Sequence, residues 1–291
     1  MTSLFVAGCG YTGQRVALAG RQQGWQVAAQ LREASKTAPL RQAGIEAHLC
    51  SLDHLEDIPP LPVAGRLLLY CVPPQGGGSI DLRARNFCAA LQRDRSIPER
   101  IVYLSATSVY GDTGGRSVTE QSPVQPTSAM GKRRLDAERL FLEFGRNHAI
   151  AVVILRISGI YGPGRLPLMQ LSQGQPLLKE ELARPSNRIH VEDLTQVCLA
   201  ALERGEGIYN VSDGAPCSMT AYFNACADAL GLPRPPQVDL DEAQRVMPPL
   251  LFNYFVESRV VDNSRMLAEL GVTLRYPTLA AGLAASSRST P

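Results

Sequence analysis

The first half of the chain alternates short apolar runs with longer segments of helical character, and that alternation limits the folds open to it. Residues 4–7, 26–31, 47–50, 66–72, 101–105 and 151–155 are six strand-like runs. Between them, residues 11–24, 82–95 and 129–148 have helical character. The last of these sets Leu135, Leu140, Phe141 and Phe144 at helical spacing. Strands that are apolar nearly throughout, with helices between them, belong to a parallel sheet covered on both faces. The expected class is α/β, with a doubly wound parallel sheet.

After Arg156 the texture changes. Residues 157–190 are rich in Gly, Pro and Arg, as suits a binding surface built from loops. A helix is expected over 191–202, a strand over 208–211 and a helix over 220–230. An irregular Pro-rich stretch at 233–250 follows, then a last helix over 263–270. The expected division is a nucleotide-binding domain at 1–156 and a smaller substrate lobe at 157–291 that sends a strand back into the sheet.

Composition narrows the function classes. The 291 residues are 45% hydrophobic, enough for a sizeable core. Lys+Arg 29 against Asp+Glu 27 leaves a net charge of +2, and the one basic cluster, Lys132-Arg133-Arg134, is too short for a nucleic-acid footprint. No apolar run approaches a membrane span, and Met1-Thr2-Ser3 lacks the charged start of a signal peptide. The seven cysteines are odd in number and scattered, and the four histidines form no cluster, so neither a disulfide framework nor a metal site is expected. Reduced thiols in the cytoplasm are the expected setting.

Gly8-Cys9-Gly10-Tyr11-Thr12-Gly13 follows the first strand and opens the first helix. In such a turn the first glycine allows the tight bend and the second lets a pyrophosphate approach the backbone. The third brings helix and strand together, while the helix N-terminus favours anionic phosphates. Within a first βαβ unit this is the fingerprint of a Rossmann-type sheet that binds NAD or NADP. At the end of strand two, Leu31-Arg32-Glu33 with Lys36 nearby sets a cation where a 2′-phosphate would lie, which favours NADP; Glu33 keeps NAD open. Val72 and Pro73 are expected to border the cofactor, and Asp53 to reach the adenine.

The segment from Ile101 through Ser105-Ala106-Thr107-Ser108-Val109-Tyr110-Gly111-Asp112 resembles strand five of the extended short-chain dehydrogenases/reductases, the NAD-dependent epimerase/dehydratase family. Leu155-Arg156, Ile160-Tyr161-Gly162-Pro163-Gly164-Arg165, Arg188-Ile189-His190-Val191-Glu192-Asp193-Leu194 and Asn263 to Gly271 with Arg275-Tyr276-Pro277 continue the likeness. The chain is most similar to the atypical YeeZ-like branch. The resemblance implies an oxidoreductase, epimerase or dehydratase acting on a small polar substrate such as a nucleotide sugar, and a homodimer built through the lysine-bearing helix.

The resemblance also implies a Ser or Thr at the end of strand five and a Tyr-x-x-x-Lys on the next helix. Counting four back from Tyr110 finds Ala106, and four back from Lys132 finds Ser128; no tyrosine lies between Tyr110 and Tyr161. An aliphatic hydroxyl is a far weaker acid than a phenol, so Ser128 is a poor general base. Lys132 is expected at the nicotinamide ribose, and Ser105 is expected to touch the cofactor. Tyr110 is offered as a replacement proton donor, against its usual place packed beneath the turn. Arg156, Arg165 and Arg188 are candidates to grip an anionic substrate. His190 is expected to be a structural hydrogen-bonder and Cys198 a core residue. A protein that binds NAD(P) without turnover, as sensor or partner, is the rival expectation.

Overall fold

The computed structural model describes residues 1–287. Its central sheet takes β1 (Ser3–Ala7), β2 (Gln26–Leu31), β3 (Glu46–Leu49), β4 (Leu67–Tyr70), β5 (Arg100–Ala106) and β6 (Ala151–Ile157) from the first half of the chain. Next come β7 (Gly159–Tyr161) and β8 (Arg188–His190), which pair with each other, and β9 (Gly207–Val211), which returns to the main sheet beside β6. The seven strands lie in the order β9-β6-β5-β4-β1-β2-β3, all parallel. Order reverses between β1 and β4, and a crevice opens there at the carboxyl ends of the strands, where α/β sheets bind ligands.

Alternation along each strand divides the core in two. Leu4 and Val6 point into one cluster with Val16 and Ala17 of α1 (Tyr11–Gln22), while Phe5 and Ala7 point into the other. That second cluster holds Phe87 of α2 (Leu82–Arg93) with Phe141 and Phe144 of α3 (Ala129–His148). On the first face, Leu194, Val197 and Cys198 of α4 (Val191–Glu203) pack beside α1. Each of these side chains is buried, and burying a Leu- or Phe-sized group contributes about 1.5–3 kcal/mol. A third cluster, with Tyr161, Leu177, Tyr222, Phe223 and Phe255, forms the core of the C-terminal elements.

Those elements differ from the sequence expectation in two places. The Pro-rich stretch at 233–250 is not irregular throughout: α5 (Met219–Leu230) is followed by α6 (Leu240–Val246) and α7 (Pro249–Val256). Proline suits the first turn of a helix, where its missing N–H has no intrahelical partner, so Pro248-Pro249 opens α7 instead of barring it. The last helix is not α8 (Ser264–Leu270) but α9 (Leu279–Ser287), and Leu283 of α9 joins the third cluster.

Helix α3 ends on Ala149, whose φ of 53° lies in the left-handed region. A β-carbon there costs about 1–2 kcal/mol, whereas glycine adopts the conformation freely. Ala149 is exposed, so little packing is at stake. Ala149→Gly should therefore raise the denaturation midpoint, by a net ~0.5–1 kcal/mol after the added freedom of the unfolded chain. A lower midpoint in urea would contradict this account of the α3 terminus.

Candidate functional site

The glycine turn is held in shape before any ligand arrives. The Gly8 amide donates to the backbone and side-chain oxygens of Gln30, and the Cys9 amide donates to the same Gln30 carbonyl at 2.9 Å. Gly8 has φ +85°, and a β-carbon on it would stand 2.8 Å from the Val72 nitrogen. At Gly13 a β-carbon would stand 2.5 Å from the Gly8 carbonyl oxygen. Gly10 has open space around it, room a ligand can use. Neither a side-chain cap nor an acidic residue occupies the first turn of α1, which leaves its N–H groups free to receive a diphosphate.

From this turn a cleft of about 820 Å³ runs across the carboxyl ends of β1, β2, β4, β5 and β6 to the C-terminal elements. Gly8, Gly10, Tyr11, Thr12, Gly13, Arg32, Val72 and Pro73 all line it. Glu33 and Lys36 line it too; they pair with each other, and the Lys36 ammonium holds the Glu33 carboxyl below its ordinary range. Arg165 and Arg188 line the far part.

Several expected site residues are committed elsewhere. The Asp53 carboxylate accepts from Arg83 Nε at 2.6 Å and from the Ser51 hydroxyl at 2.7 Å, and Asp53 is not among the residues that line the cleft. Those bonds, Arg83's first, hold its carboxyl below the usual range. Arg156 is not a substrate ligand: its guanidinium is buried against the Glu138 carboxylate, with Nη2 donating at 2.8 Å. Ser105 borders the cleft, but its hydroxyl donates to the same Glu138 carboxylate. Tyr110 is buried; its hydroxyl donates to Asn210 Oδ1 at 2.7 Å and accepts from Arg156 Nη1 at 3.0 Å. Burial raises its phenol pKa, the wrong direction for a proton donor, and it does not line the cleft.

On α3, Ser128 and Lys132 do not occupy the positions of the family tyrosine and lysine. Ser128, the N-cap of that helix, accepts from the Gly131 N–H at 3.0 Å and lines the cleft, whereas Lys132 is exposed off it. The α3 residues on the cleft are Met130 and Arg134, one turn apart. Residues four apart share a helix face, and Lys132 points about 200° away from Arg134. The Tyr-x-x-x-Lys spacing thus falls on Met130 and Arg134, and both family side chains are replaced. Arg134 donates to the Leu104 carbonyl at 2.7 Å and leaves its buried Nε unpartnered. Ser108 and Ser158, which follow the adjacent strands β5 and β6 and line the cleft, also have buried hydroxyls without a partner among the described residues. None of these four was picked out from the sequence. The buried stripe Ala137, Phe141, Phe144, carried back by turns along α3, is the signal that points to 130 and 134.

Arg188 differs from Arg156 in its company. It is 7% exposed, lies over the Tyr222 ring at 4.4 Å and donates to the Asn187 carbonyl at 2.9 Å. No carboxylate pairs with it among the described residues. Asp213, whose charge it feels, has its carboxyl pushed up to about 6 by burial. Tyr11 joins the two sides of the cleft: its hydroxyl donates to the Pro163 carbonyl at 3.0 Å, and its ring lies between Arg15 and Arg165. His190 caps α4 with Nδ1 and reaches Ser286 with Nε2, a structural place as expected, and Cys198 is in the core.

Residues 83–212 match the NAD dependent epimerase/dehydratase family. Over 289 residues the chain is 27% identical to Protein YeeZ of Escherichia coli strain K12, covering 95% of this chain and 97% of that one. A functionally unknown conserved protein from Silicibacter pomeroyi superposes with TM-score 0.82 at 33% identity, covering 100% of this chain and 99% of that one. UDP-glucuronic acid 4-epimerase from Bacillus cereus, solved in complex with NAD, superposes with TM-score 0.74 at 18% identity, covering 99% and 96%. That last likeness is one of fold.

Two stability measurements follow from the buried charges. Glu138→Ala strands Arg156 and should cost about 3–5 kcal/mol in urea unfolding, while Glu138→Leu with Arg156→Met should recover most of it. A cost under ~1 kcal/mol for the single change would contradict the pairing. For Asp213 the folded pKa is raised from 3.8 to about 6, so the native state binds the extra proton. Its contribution is fully present below about pH 4 and is lost as pH rises through 6. Asp213→Asn should thus be more stable than wild type at pH 7.5 and no more stable at pH 4; equal stability at pH 7.5 would contradict the burial effect.

Proposed function

This chain belongs to the NAD-dependent epimerase/dehydratase family, and on that premise we propose that it binds NADP or NAD and acts on a small phosphate-bearing substrate such as a nucleotide sugar. The observation that carries the reading is a buried guanidinium, Arg188, that has no carboxylate partner among the described residues and lies in the same cleft as the glycine turn. An unpaired buried cation is costly to hold, and a substrate anion removes that cost. The Bacillus cereus neighbour, a UDP-glucuronic acid 4-epimerase bound to NAD, supports the substrate class by analogy.

In this reading Gly8, Gly10, Tyr11, Thr12 and Gly13 take the diphosphate, with Val72 and Pro73 beside the cofactor. Arg32 and Lys36 favour a 2′-phosphate, because Glu33 is already engaged by Lys36 and Ser35. When bound, the nicotinamide supplies hydride chemistry that no side chain offers. Arg134 contributes a fixed positive charge at the site; a guanidinium holds its protons at any physiological pH and does not shuttle them. Arg188, with Arg165 at the mouth, orients the substrate anion. We read residues 1–156 as the cofactor part and 157–291 as the substrate lobe, which has its own core. Exposed Ile80 and Leu82 beside α2 support pairing of two copies. Seven free cysteines support a cytoplasmic setting.

A second reading, cofactor binding without turnover, is favoured by Met130 and Ala106. A thioether and a methyl stand where a phenol and a hydroxyl carry the proton in the family pattern.

NADPH fluorescence titration, followed by product analysis with nucleotide sugars and carbonyl compounds, separates the two. Wild type should bind NADPH about tenfold more tightly than NADH, with the difference lost in Arg32→Ala. Conversion of a nucleotide sugar supports the enzyme. Tight binding of both ligands with neither altered supports the sensor, and failure to bind any nicotinamide dinucleotide overturns both.

A further inference from the structure

Position 159 carries no side chain, and the Arg188 guanidinium uses the room. Gly159 stands opposite Arg188 in the parallel pairing of β7 with β8. Its N–H donates to the Asn187 carbonyl at 3.0 Å, the same oxygen that Arg188 Nη1 reaches at 2.9 Å. A β-carbon on Gly159 would lie 2.8 Å from Arg188 Nη1 and 3.3 Å from its Cδ. Non-bonded heavy atoms pack comfortably at about 3.5–4.0 Å, so one of the two groups would have to move. The Gly159 backbone is not in the left-handed region, so its conformation does not require glycine. What the position supplies is space.

The rest of the seat is closed. Tyr222 lies against the guanidinium at 4.4 Å, the Met219 sulfur meets Nη2, and the Asn187 carbonyl takes Nη1. Arg188 is 7% exposed, which leaves little room to swing aside and keep its place. Both Gly159 and Arg188 line the cleft.

We propose that Gly159 is a specificity-determining position: by carrying no side chain it makes the seat of the Arg188 guanidinium, and through that seat the protein selects substrates bearing a diphosphate over their uncharged counterparts. The inference rests on the reading of Arg188 as the substrate-anion ligand. Gly159 is a positioning residue that acts through Arg188. A guanidinium lifted from this seat loses both its fixed plane and the two-pronged match to phosphate oxygens.

A double-mutant cycle with UDP as the probe tests this, with NADPH affinity and the thermal midpoint measured beside it. Gly159→Ala should weaken UDP binding about tenfold or more and leave NADPH binding within about twofold. Arg188→Ala should weaken UDP at least as much, and adding Gly159→Ala to it should change UDP affinity by no more than about twofold. UDP affinity unchanged in Gly159→Ala, with Arg188→Ala impaired, overturns the inference and leaves the anion reading standing. An equal loss from Gly159→Ala in the Arg188→Ala background overturns it as well, since position 159 would then act on its own. Arg188→Ala binding UDP like wild type, or a wild type that does not bind UDP, overturns both. If Gly159→Ala also loses NADPH, Tyr222→Leu replaces it by opening the opposite wall of the seat. Loss of UDP binding alone supports the inference, and unchanged UDP binding overturns it.

Discussion

The close approach of three backbone segments at the end of β1 governs the rest of the structure. The Gly8 and Cys9 amides are bonded to Gln30 at the end of β2, while the space a Gly8 β-carbon would need is filled by Val72 beyond β4. Gln30 extends the tie, donating from Nε2 to the Cys50 carbonyl at 2.6 Å. The helix that leaves this turn starts where three strand ends converge, with its N–H groups aimed into the crevice where strand order reverses. Binding at this turn needs little reorganisation, because the protein's own bonds already hold the shape.

Two arginines show how the same side chain serves opposite ends. Arg156 and Arg188 are both nearly buried. Glu138 neutralises the first, and Ser105 and Tyr110 close the network around it, so it braces the end of β5 against α3 and β6. The second has a carbonyl, a ring and a sulfur for company and no carboxylate. Burial of a charge is tolerated when it is paired or when a ligand completes the pairing; Glu138 pairs Arg156, whereas Arg188, like the buried Arg133, has no carboxylate partner among the described residues. Tyr11 fastens the loop at Pro163 to the glycine turn.

Most of the sheet was legible in the sequence because its central strands, such as Leu67–Tyr70 and Ala151–Ile157, are nearly continuous apolar runs; the edge strand Glu46–Leu49 is half polar and carries a weaker signal. The glycine turn was legible because its close backbone approaches leave no room for a β-carbon at Gly8 or Gly13, and the glycines are visible in the sequence itself. The partners of Asp53 and Arg156 were not legible, since Arg83 and Glu138 lie 30 and 18 residues away and only the fold brings them near. On α3 the lysine at 132 lies two residues from the position that faces the cleft. Helical phase, set by Ala137 and Phe141, puts Arg134 on the cleft instead. The C-terminal helices were hidden by prolines that in fact sit at a helix start.

The most direct test of the central claim is a crystal structure after soaking with NADPH. The account predicts diphosphate density against the free amides of Tyr11 and Thr12 at the start of α1, with the ribose phosphate beside Arg32. Density elsewhere in the molecule, with the glycine turn left bare at saturating dinucleotide, would contradict it.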